Sequence, residues 1–337
     1  MRAAVYQGVR RFDVSEIATP TPGPGQVLVR VNHSAICGTD VHAFMYDLAP
    51  VGSVLGHEIA GVIAAVGPGV DRWRVGERVV AGGGERPAGQ PAPPPGPRYN
   101  YRTMGFRGGA TGGYAEYQLL PEWRPTPIPN DVPDAAAALT EPCSVAVQAV
   151  RRSAVRLGDT VAVIGAGPIG LLVTQAARAA GAARVLVSEP APARAAAARR
   201  LGAAAVINPR EEDPVARLVE LTGGVGPDVV FDCAGIGATL DQAFDATRRA
   251  GQVVLVAVPW EPLPLEPANW MAREVDFRTS FASQAQDWRT ALGLLATGRI
   301  SADALMSEAS FIALDDIQQA FEALMQPSTQ LQVVIRM

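Results

Sequence analysis

The sequence predicts an α/β protein that joins a mostly antiparallel β domain to a domain built on a doubly wound parallel sheet. Two observations indicate this architecture. Before residue 80, short strands alternate apolar and polar side chains and are separated by Pro and Gly turns, as in antiparallel sheets. From residue 161 to residue 256, short apolar strands alternate with helical stretches, which is the pattern of parallel β-α-β units.

In the N-terminal region, strands are predicted at 27–32, 59–66 and 78–80, and helices at 134–139 and 145–150 lead into the second domain. In that domain, strands are predicted at 161–164, 184–188, 205–207, 229–232 and 253–256. An amphipathic helix at 314–324 and a strand at 331–335 close the chain. We expect a chain of 337 residues to form two domains, each with an ample core.

A glycine-rich turn follows the strand at 161–164 and precedes an apolar helix. Its first glycine suits a tight turn, its second lets backbone approach a pyrophosphate, and its third permits close helix–strand packing. Glu189 ends the next strand, where a carboxylate can bond ribose hydroxyls and repel a 2′-phosphate, so NAD is predicted rather than NADP. Arg194 leaves NADP as the alternative cofactor, because its side chain could reach the 2′-phosphate. The predicted cofactor-binding residues are Gly165, Gly167, Pro168, Ile169, Gly170, Glu189 and Arg194.

The composition excludes several functions. A net charge of −4 and a pI of 5.5 give no general attraction to nucleic acid or anionic membranes, and we expect neither as a partner. All 29 basic residues are arginine, which excludes chemistry through a lysine Schiff base. Cys37, Cys143 and Cys233 are few and far apart, which favours a reducing compartment. With no signal-peptide core and no long apolar run, we expect a cytoplasmic protein.

Metal-ligand chemistry is concentrated in two short segments. The first begins at Cys37, and the second contains His57 and Glu58. Thiolate, imidazole and carboxylate groups are the ligands of a catalytic zinc that keeps one position for water or substrate. Singly, Cys37 could be a small buried residue, His57 a core histidine and Glu58 a surface charge. Only three histidines occur in the chain, and two lie near Cys37, which favours a metal site.

These segments, together with Glu141-Pro142 and the glycine-rich turn, resemble the zinc-dependent medium-chain alcohol dehydrogenases, and most closely the sorbitol and butanediol dehydrogenase branch. The resemblance covers essentially the whole chain. It implies a GroES-like, mostly antiparallel catalytic domain at 1–148 and 284–337, and a Rossmann NAD-binding domain at 149–283. It also implies a homodimer or homotetramer.

The resemblance implies roles for individual residues. Cys37 and His57 match zinc ligands, while either Glu58 or Glu141 could supply the third ligand. Thr39 and His42 match a proton relay, and a helical turn would place them on one face. The predicted catalytic residues are therefore Thr39, His42, Glu58 and Glu141. The predicted metal ligands are Cys37, His57, Glu58 and Glu141. The predicted substrate pocket comprises Thr39, Tyr46, Phe106 and Phe281.

The chain departs from the family pattern between residues 82 and 113. Many members carry four cysteines there for a structural zinc, whereas this segment contains neither cysteine nor histidine. We therefore expect one catalytic zinc per subunit and no structural zinc. The stretch 85–98 is rich in proline and is expected to be a mobile, polyproline-like loop.

The sequence thus predicts a zinc- and NAD-dependent dehydrogenase that oxidises a secondary alcohol to a ketone, or catalyses the reverse reaction. The resemblance points to a small-molecule polyol, diol or amino-polyol, or a cyclic alcohol. Two alternatives remain. One is a zinc-free NAD(P)H-dependent reductase of activated double bonds, which would not need Cys37, His57 and Glu58 together. The other is a non-catalytic dinucleotide-binding protein, which would be expected to have lost metal ligands.

Overall fold

The computed structural model describes residues 1–89, 112–263, 265–325 and 330–337. Within these residues the chain forms two compact units. The first comprises Met1–Glu141 and Met306–Met337, and the second comprises Pro142–Leu305. From residue 90 onward the predicted proline-rich loop lies outside the described residues, and so does Phe106.

The first unit is mostly antiparallel. Its described elements, in chain order, are β1 (Arg2–Gly8), β2 (Arg11–Glu16), β3 (Gln26–Ala35), α1 (Gly38–Met45), β4 (Glu58–Val66), β5 (Arg78–Val80), β6 (Tyr117–Pro121), β7 (Thr126–Pro127), α2 (Asp134–Ala138) and the start of α3 (Thr140–Arg152). The C-terminal segment adds β14 (Phe311–Ala313), α10 (Ile317–Leu324) and β15 (Val334–Arg336). Strands β1 and β2 form a hairpin. A larger sheet has the order β14-β15-β3-β4-β5-β7, and β6 also pairs with β3.

An aromatic core holds α1 in place within the first unit. The rings of Phe12 and Phe44 stack with centroids 5.3 Å apart, and Phe321 of α10 packs against both at 4.8 and 5.2 Å. Tyr6 and Tyr114 complete the cluster, and neither has any exposed surface. Because aromatic rings bury large apolar areas in specific geometries, this core fixes the helix that begins beside Cys37.

The second unit is a six-stranded parallel sheet with helices between its strands. Its elements, in chain order, are β8 (Thr160–Ile164), α4 (Pro168–Ala179), β9 (Arg184–Ser188), α5 (Pro192–Arg200), β10 (Ala205–Ile207), α6 (Pro214–Leu221), β11 (Val229–Asp232), α7 (Gly237–Ala246), β12 (Gln252–Leu255), α8 (Pro267–Ala272), β13 (Asp276–Thr279) and α9 (Ala285–Ala296). The strand order β10-β9-β8-β11-β12-β13 is that of a doubly wound, Rossmann-type sheet. The predicted fold class is confirmed.

The division between the units differs from the predicted boundaries at 148 and 284. It falls in the first turn of α3 and after residue 305, so α9 belongs to the second unit. Polar contacts join α3 to the start of α9 within the second unit. Arg151 donates to the buried carboxylate of Asp287 at 2.7 Å, and the hydroxyls of Ser144 and Ser283 are hydrogen-bonded at 2.7 Å.

Some element ends also differ from the prediction. Strand β3 extends to Ala35, because its pairing partner β4 begins at Glu58 and continues the ladder to that point. The closing strand is Val334–Arg336 rather than 331–335. In the part of the chain that the structure describes, no helix combines the length and apolar character needed to cross a membrane.

Candidate active site

The first component of the site is the N-terminus of α1. Cys37 is the N-cap residue, with extended backbone angles, and its sulfur accepts a hydrogen bond from the Thr39 backbone amide at 3.4 Å. An acceptor at this position satisfies one of the amides that a helix start leaves unpaired. The thiol of Cys37 is therefore held at the end of β3, with Thr39 and His42 following on the helix.

The second component is the start of β4. Ala35 of β3 pairs with Glu58 of β4, so the ladder brings Cys37 close to His57 and Glu58. The potential ligand atoms of Cys37, His57 and Glu58 all lie within 4.8 Å of one another. Glu58 is 2% exposed, whereas the His57 side chain is 35% exposed. The structure thus brings three of the four predicted metal ligands together.

Burial raises the pKa values of the acidic groups in this cluster. Desolvation and the nearby carboxyl group of Glu141 raise the pKa of Glu58 to about 8. Burial raises the pKa of Cys37 to about 11, and it also raises the pKa of Glu141. Acidic groups crowded in a dry site ionise poorly unless a positive ion compensates them. A thiolate, an imidazole and a carboxylate form a donor set that fits zinc.

Two residues to which the sequence analysis assigned no role support His57. Asp40 has no exposed surface, and its Oδ1 atom lies 3.5 Å from Nδ1 of His57. Tyr114 donates a hydrogen bond of 2.6 Å to the other oxygen, Oδ2. Burial alone would lower the pKa of His57, but Asp40 and Cys37 outweigh it and hold that pKa well above its usual value. An acid three residues after Cys37 was the available signal, whereas nothing local marked Tyr114.

Gln332 is a further residue that sequence reasoning missed. Its buried side-chain amide donates to the Ile36 carbonyl at 3.0 Å and to Oε2 of Glu58 at 3.4 Å. The C-terminal segment thus supplies a neutral donor to the carboxylate beside His57. The separation along the chain is 274 residues, so no local pattern could have indicated this contact.

The predicted relay residues share one helix. Nδ1 of His42 lies 2.6 Å from the Gly38 carbonyl oxygen, which can only accept a hydrogen bond. Nδ1 therefore carries the proton in the neutral ring, and Nε2 carries the lone pair. Desolvation lowers the pKa of His42, which favours this neutral form. The ring also stacks on Tyr46, with centroids 6.1 Å apart.

The predicted substrate-pocket residues are divided between the units. Thr39 and Tyr46 belong to the first unit, and the Tyr46 side chain is 47% exposed. Phe281 belongs to the second unit and is 46% exposed. Phe106 lies outside the described residues. The substrate pocket therefore stays a prediction.

The glycine-rich turn has the geometry that its three glycines predict. Gly165 has a φ of +91°, which side chains disfavour. A Cβ on Gly170 would lie 1.9 Å from the Gly165 carbonyl oxygen, so the third glycine permits close packing. A Cβ on Gly167 would meet no described atom within 4 Å. Gly167 caps α4, and Pro168 and Ile169 begin that helix, whose free backbone amides suit a phosphate.

Glu189 is held at the end of β9 by the backbone. Its Oε2 atom accepts a hydrogen bond from the Ala166 amide, and its Oε1 atom accepts one from the Ala191 amide, both at 2.7 Å. Only 4% of the residue is exposed. Arg194 lies in the first turn of α5, and within the described ranges its Nε atom is buried without a hydrogen-bond partner. The carboxylate thus joins the glycine-rich turn to the loop after β9.

Comparison with known proteins agrees with this geometry. The profile of the alcohol dehydrogenase GroES-like domain matches residues 23–130, and that of the zinc-binding dehydrogenases matches residues 168–297. The chain is 33% identical to (R,R)-butanediol dehydrogenase of Bacillus subtilis over 100% of this chain and 99% of that protein. It is 32% identical to sorbitol dehydrogenase of the same organism, covering 97% and 94% of the two chains.

A solved structure from Sinorhizobium meliloti, with NADP bound, superimposes with a TM-score of 0.87 at 29% identity, covering 100% of this chain and 99% of that one. Both matched domains, the identity over the full length and the shared fold point the same way. The chain therefore belongs to the zinc-dependent medium-chain alcohol dehydrogenases, in the sorbitol and butanediol dehydrogenase branch, and is a zinc- and nicotinamide-dependent alcohol dehydrogenase.

Proposed function

We propose that the protein interconverts a secondary alcohol and a ketone with NAD, at one zinc held by Cys37, His57 and either Glu58 or Glu141. The observation that carries the proposal is the approach of the Cys37, His57 and Glu58 ligand atoms to within 4.8 Å. The relatives named butanediol and sorbitol dehydrogenase support the reaction, since both compounds carry secondary hydroxyl groups.

Each residue near the metal has a distinct task. A zinc ion bound here would act as a Lewis acid that polarises the hydroxyl group of the alcohol. Asp40 faces Nδ1 of His57, which leaves Nε2 of that ring for the metal. Glu58 and Glu141 supply carboxylates, and the hydrogen bond from Gln332 orients one oxygen of Glu58.

Thr39 and His42 move the proton of the alcohol. The Thr39 hydroxyl can both donate and accept a hydrogen bond, so it can pass a proton along a chain. His42 receives a proton at Nε2, because its Nδ1 atom is already committed to the Gly38 carbonyl. The lowered pKa of His42 keeps this acceptor unprotonated at neutral pH.

Glu189 supports NAD rather than NADP. Its two oxygens each accept one backbone amide and retain lone pairs that ribose hydroxyls can use. Because those amides hold the carboxylate in place, it cannot swing away from a 2′-phosphate, and the like charges repel. The buried Nε of Arg194 argues in the other direction, and the NADP-bound relative makes the test worthwhile.

The substrate we favour is a cyclic or sparsely hydroxylated secondary alcohol rather than an open-chain hexitol. Ala282 and Ser283 directly follow Phe281, so neither residue next to this predicted pocket residue is an arginine. The Ser283 hydroxyl is engaged with Ser144 at 2.7 Å and with the Trp288 indole at 3.0 Å. A substrate hydroxyl near Phe281 would therefore have no charged donor from these two residues and would compete for the Ser283 hydroxyl.

The predicted assembly is a homodimer or homotetramer, and the predicted location is the cytoplasm. The three thiols are unpaired, which suits a reducing compartment. Size-exclusion chromatography with light scattering would measure the assembly directly, and a monomer at micromolar concentration would contradict it.

The decisive experiment combines metal analysis with a panel of alcohols and both cofactors. We expect bound zinc, NAD-dependent oxidation of secondary alcohols, and a higher kcat/KM with NAD than with NADP. Reduction of activated double bonds by protein without zinc would favour the reductase alternative. Zinc-free protein without any turnover would favour a non-catalytic dinucleotide-binding protein.

A further inference from the structure

Tyr114 occupies an unusual position in the core of the first unit. Its side chain has no exposed surface, and its ring packs edge-on against Phe321 with centroids 5.9 Å apart. A residue with only a packing role needs no hydroxyl there. Yet the hydroxyl is present and donates a hydrogen bond of 2.6 Å to Oδ2 of Asp40, which is itself fully buried.

The hydrogen bond gives the two carboxylate oxygens of Asp40 different partners. Oδ2 is occupied by Tyr114, so Oδ1 is the atom presented to Nδ1 of His57 at 3.5 Å. Among the described residues, Oδ1 has no hydrogen-bond donor of standard geometry, so the imidazole is the partner that it faces. Without the hydroxyl, the carboxylate could rotate to satisfy either oxygen.

The backbone of Tyr114 acts on the same place from another direction. Its amide donates to the Leu55 carbonyl at 3.0 Å, and the Gly113 amide donates to the Gly56 carbonyl at 2.9 Å. The ring lies so close to Gly56 that a Cβ there would sit 2.7 Å from it. Tyr114 thus contacts the segment directly before His57 as well as the helix that carries Asp40.

We propose that Tyr114 is a positioning residue of the zinc site, whose hydroxyl orients Asp40 so that Asp40 fixes the His57 ring for the metal. The inference rests on the proposed zinc site and extends it to a residue that acts on a metal ligand through Asp40. Groups that orient metal ligands are typically worth about 10- to 100-fold in metal affinity. Tyr114 acts through Asp40, so we expect an effect near the lower end.

The test is Tyr114→Phe, with zinc affinity measured by competition with a chromogenic chelator. Phenylalanine keeps the ring contacts and removes only the hydroxyl. We expect zinc affinity to fall about tenfold, and the visible spectrum of the cobalt-substituted protein to change. In an Asp40→Asn background, the same substitution should have little further effect, because the hydroxyl would have no carboxylate to orient.

Tyr6→Phe is the matched control. Tyr6 is equally buried in the same aromatic core, and its hydroxyl donates to a carboxylate at 2.5 Å, but that carboxylate belongs to Asp47 rather than to Asp40. Its zinc affinity and cobalt spectrum should match the wild type. If Tyr114→Phe bound zinc as tightly as the wild type, the inference about Tyr114 would be wrong, and the proposed function would be unaffected. A loss of stability in both tyrosine variants would not change that conclusion. Wild-type protein that binds no zinc would overturn the proposed function as well.

A second measurement covers the case in which Tyr114→Phe does not fold. 3-Fluorotyrosine at position 114 retains the hydroxyl, and its fluorine resonance can be recorded before and after zinc removal. We expect this resonance to move, while 3-fluorotyrosine at position 6 does not respond. A position-114 resonance that is unchanged by zinc would contradict the inference.

Discussion

The two chemical regions of this protein are built by opposite means. In the first unit, the candidate metal cluster of Cys37, His57 and Glu58 depends on converging side chains, and burial raises the pKa of both the thiol and the carboxyl group. In the second unit, the glycine-rich turn depends on the lack of side chains, since Gly170 leaves room for the carbonyl of Gly165. The first region brings ionisable side chains together, whereas the glycine-rich turn leaves its backbone uncovered by side chains.

This difference teaches where each region is vulnerable. The metal cluster needs supporting groups, because each ligand must be held in the ionised state and in the right orientation. Asp40 provides this support by facing Nδ1 of His57 at 3.5 Å, and Gln332 provides it through a hydrogen bond to Glu58. The glycine-rich turn needs space and, at Gly165, a positive φ. Its tolerance to substitution therefore depends on what a Cβ would touch and on the backbone conformation.

The largest expected effect is removal of the metal. Chelation of zinc, or Cys37→Ser, should lower kcat at least about 10³-fold, since Lewis-acid stabilisation is worth several kcal/mol. The thermal midpoint should change little, because the aromatic core of the first unit does not include the metal ligands. Elemental analysis should find one zinc per subunit. Two tightly bound zinc ions, or active enzyme without zinc, would refute this stoichiometry.

Alanine substitutions in the turn should distinguish effects on packing from effects on cofactor binding. Gly170→Ala should destabilise the protein by ~1–3 kcal/mol, because the added carbon meets the Gly165 carbonyl and the backbone must shift. Gly167→Ala should leave stability unchanged, because no described atom lies near its Cβ, yet raise KM for NAD about tenfold or more by blocking close approach of the phosphates. Urea unfolding and cofactor kinetics measure the two effects.

These variants control for each other. If Gly167→Ala lost as much stability as Gly170→Ala, the turn would depend on both glycines for folding. The distinction between a packing glycine and a cofactor glycine would then be wrong.

His42→Ala should slow turnover by ~10- to 100-fold near neutral pH. This loss is smaller than the largest contributions of positioned acid–base groups. Desolvation lowers the pKa of His42, so the neutral ring accepts protons down to a lower pH than usual. The wild-type advantage should disappear below that pKa, where the ring is charged, and shrink at alkaline pH, where solvent base substitutes. Unchanged pH–rate profiles in the variant would remove His42 from the mechanism.

The smallest expected effect concerns cofactor choice. Glu189→Ser removes the charge that we propose faces the ribose, and should lower the ratio of kcat/KM for NAD to that for NADP about tenfold, equivalent to about 1.4 kcal/mol. Ala191→Ser, on the neighbouring loop, is a suitable control because it leaves the carboxylate in place. A higher kcat/KM with NADP in the wild type would contradict the NAD assignment.

Sequence patterns were sufficient where the physics is local. The period of apolar residues predicted the parallel strands, and the spacing of the glycines predicted the tight turn at Gly165 and the close packing at Gly170. The approach of a pyrophosphate at Gly167 stays a prediction. Element ends were less predictable. Strand β3 extends to Ala35 because β4 pairs with it there, which is information that the segment itself does not contain.

The sequence by itself determined the fold class and the donor atoms available for zinc, because residue type and local periodicity encode both. Only the tertiary structure decided how those donors are supported. Tyr114 reaches Asp40 across 74 residues, and Gln332 reaches Glu58 across 274. Such contacts depend on sheet register and on the packing of the aromatic core, so they exist only once distant segments have come together. The local sequence therefore determines which donor residues are present, whereas the tertiary structure determines how those residues are oriented.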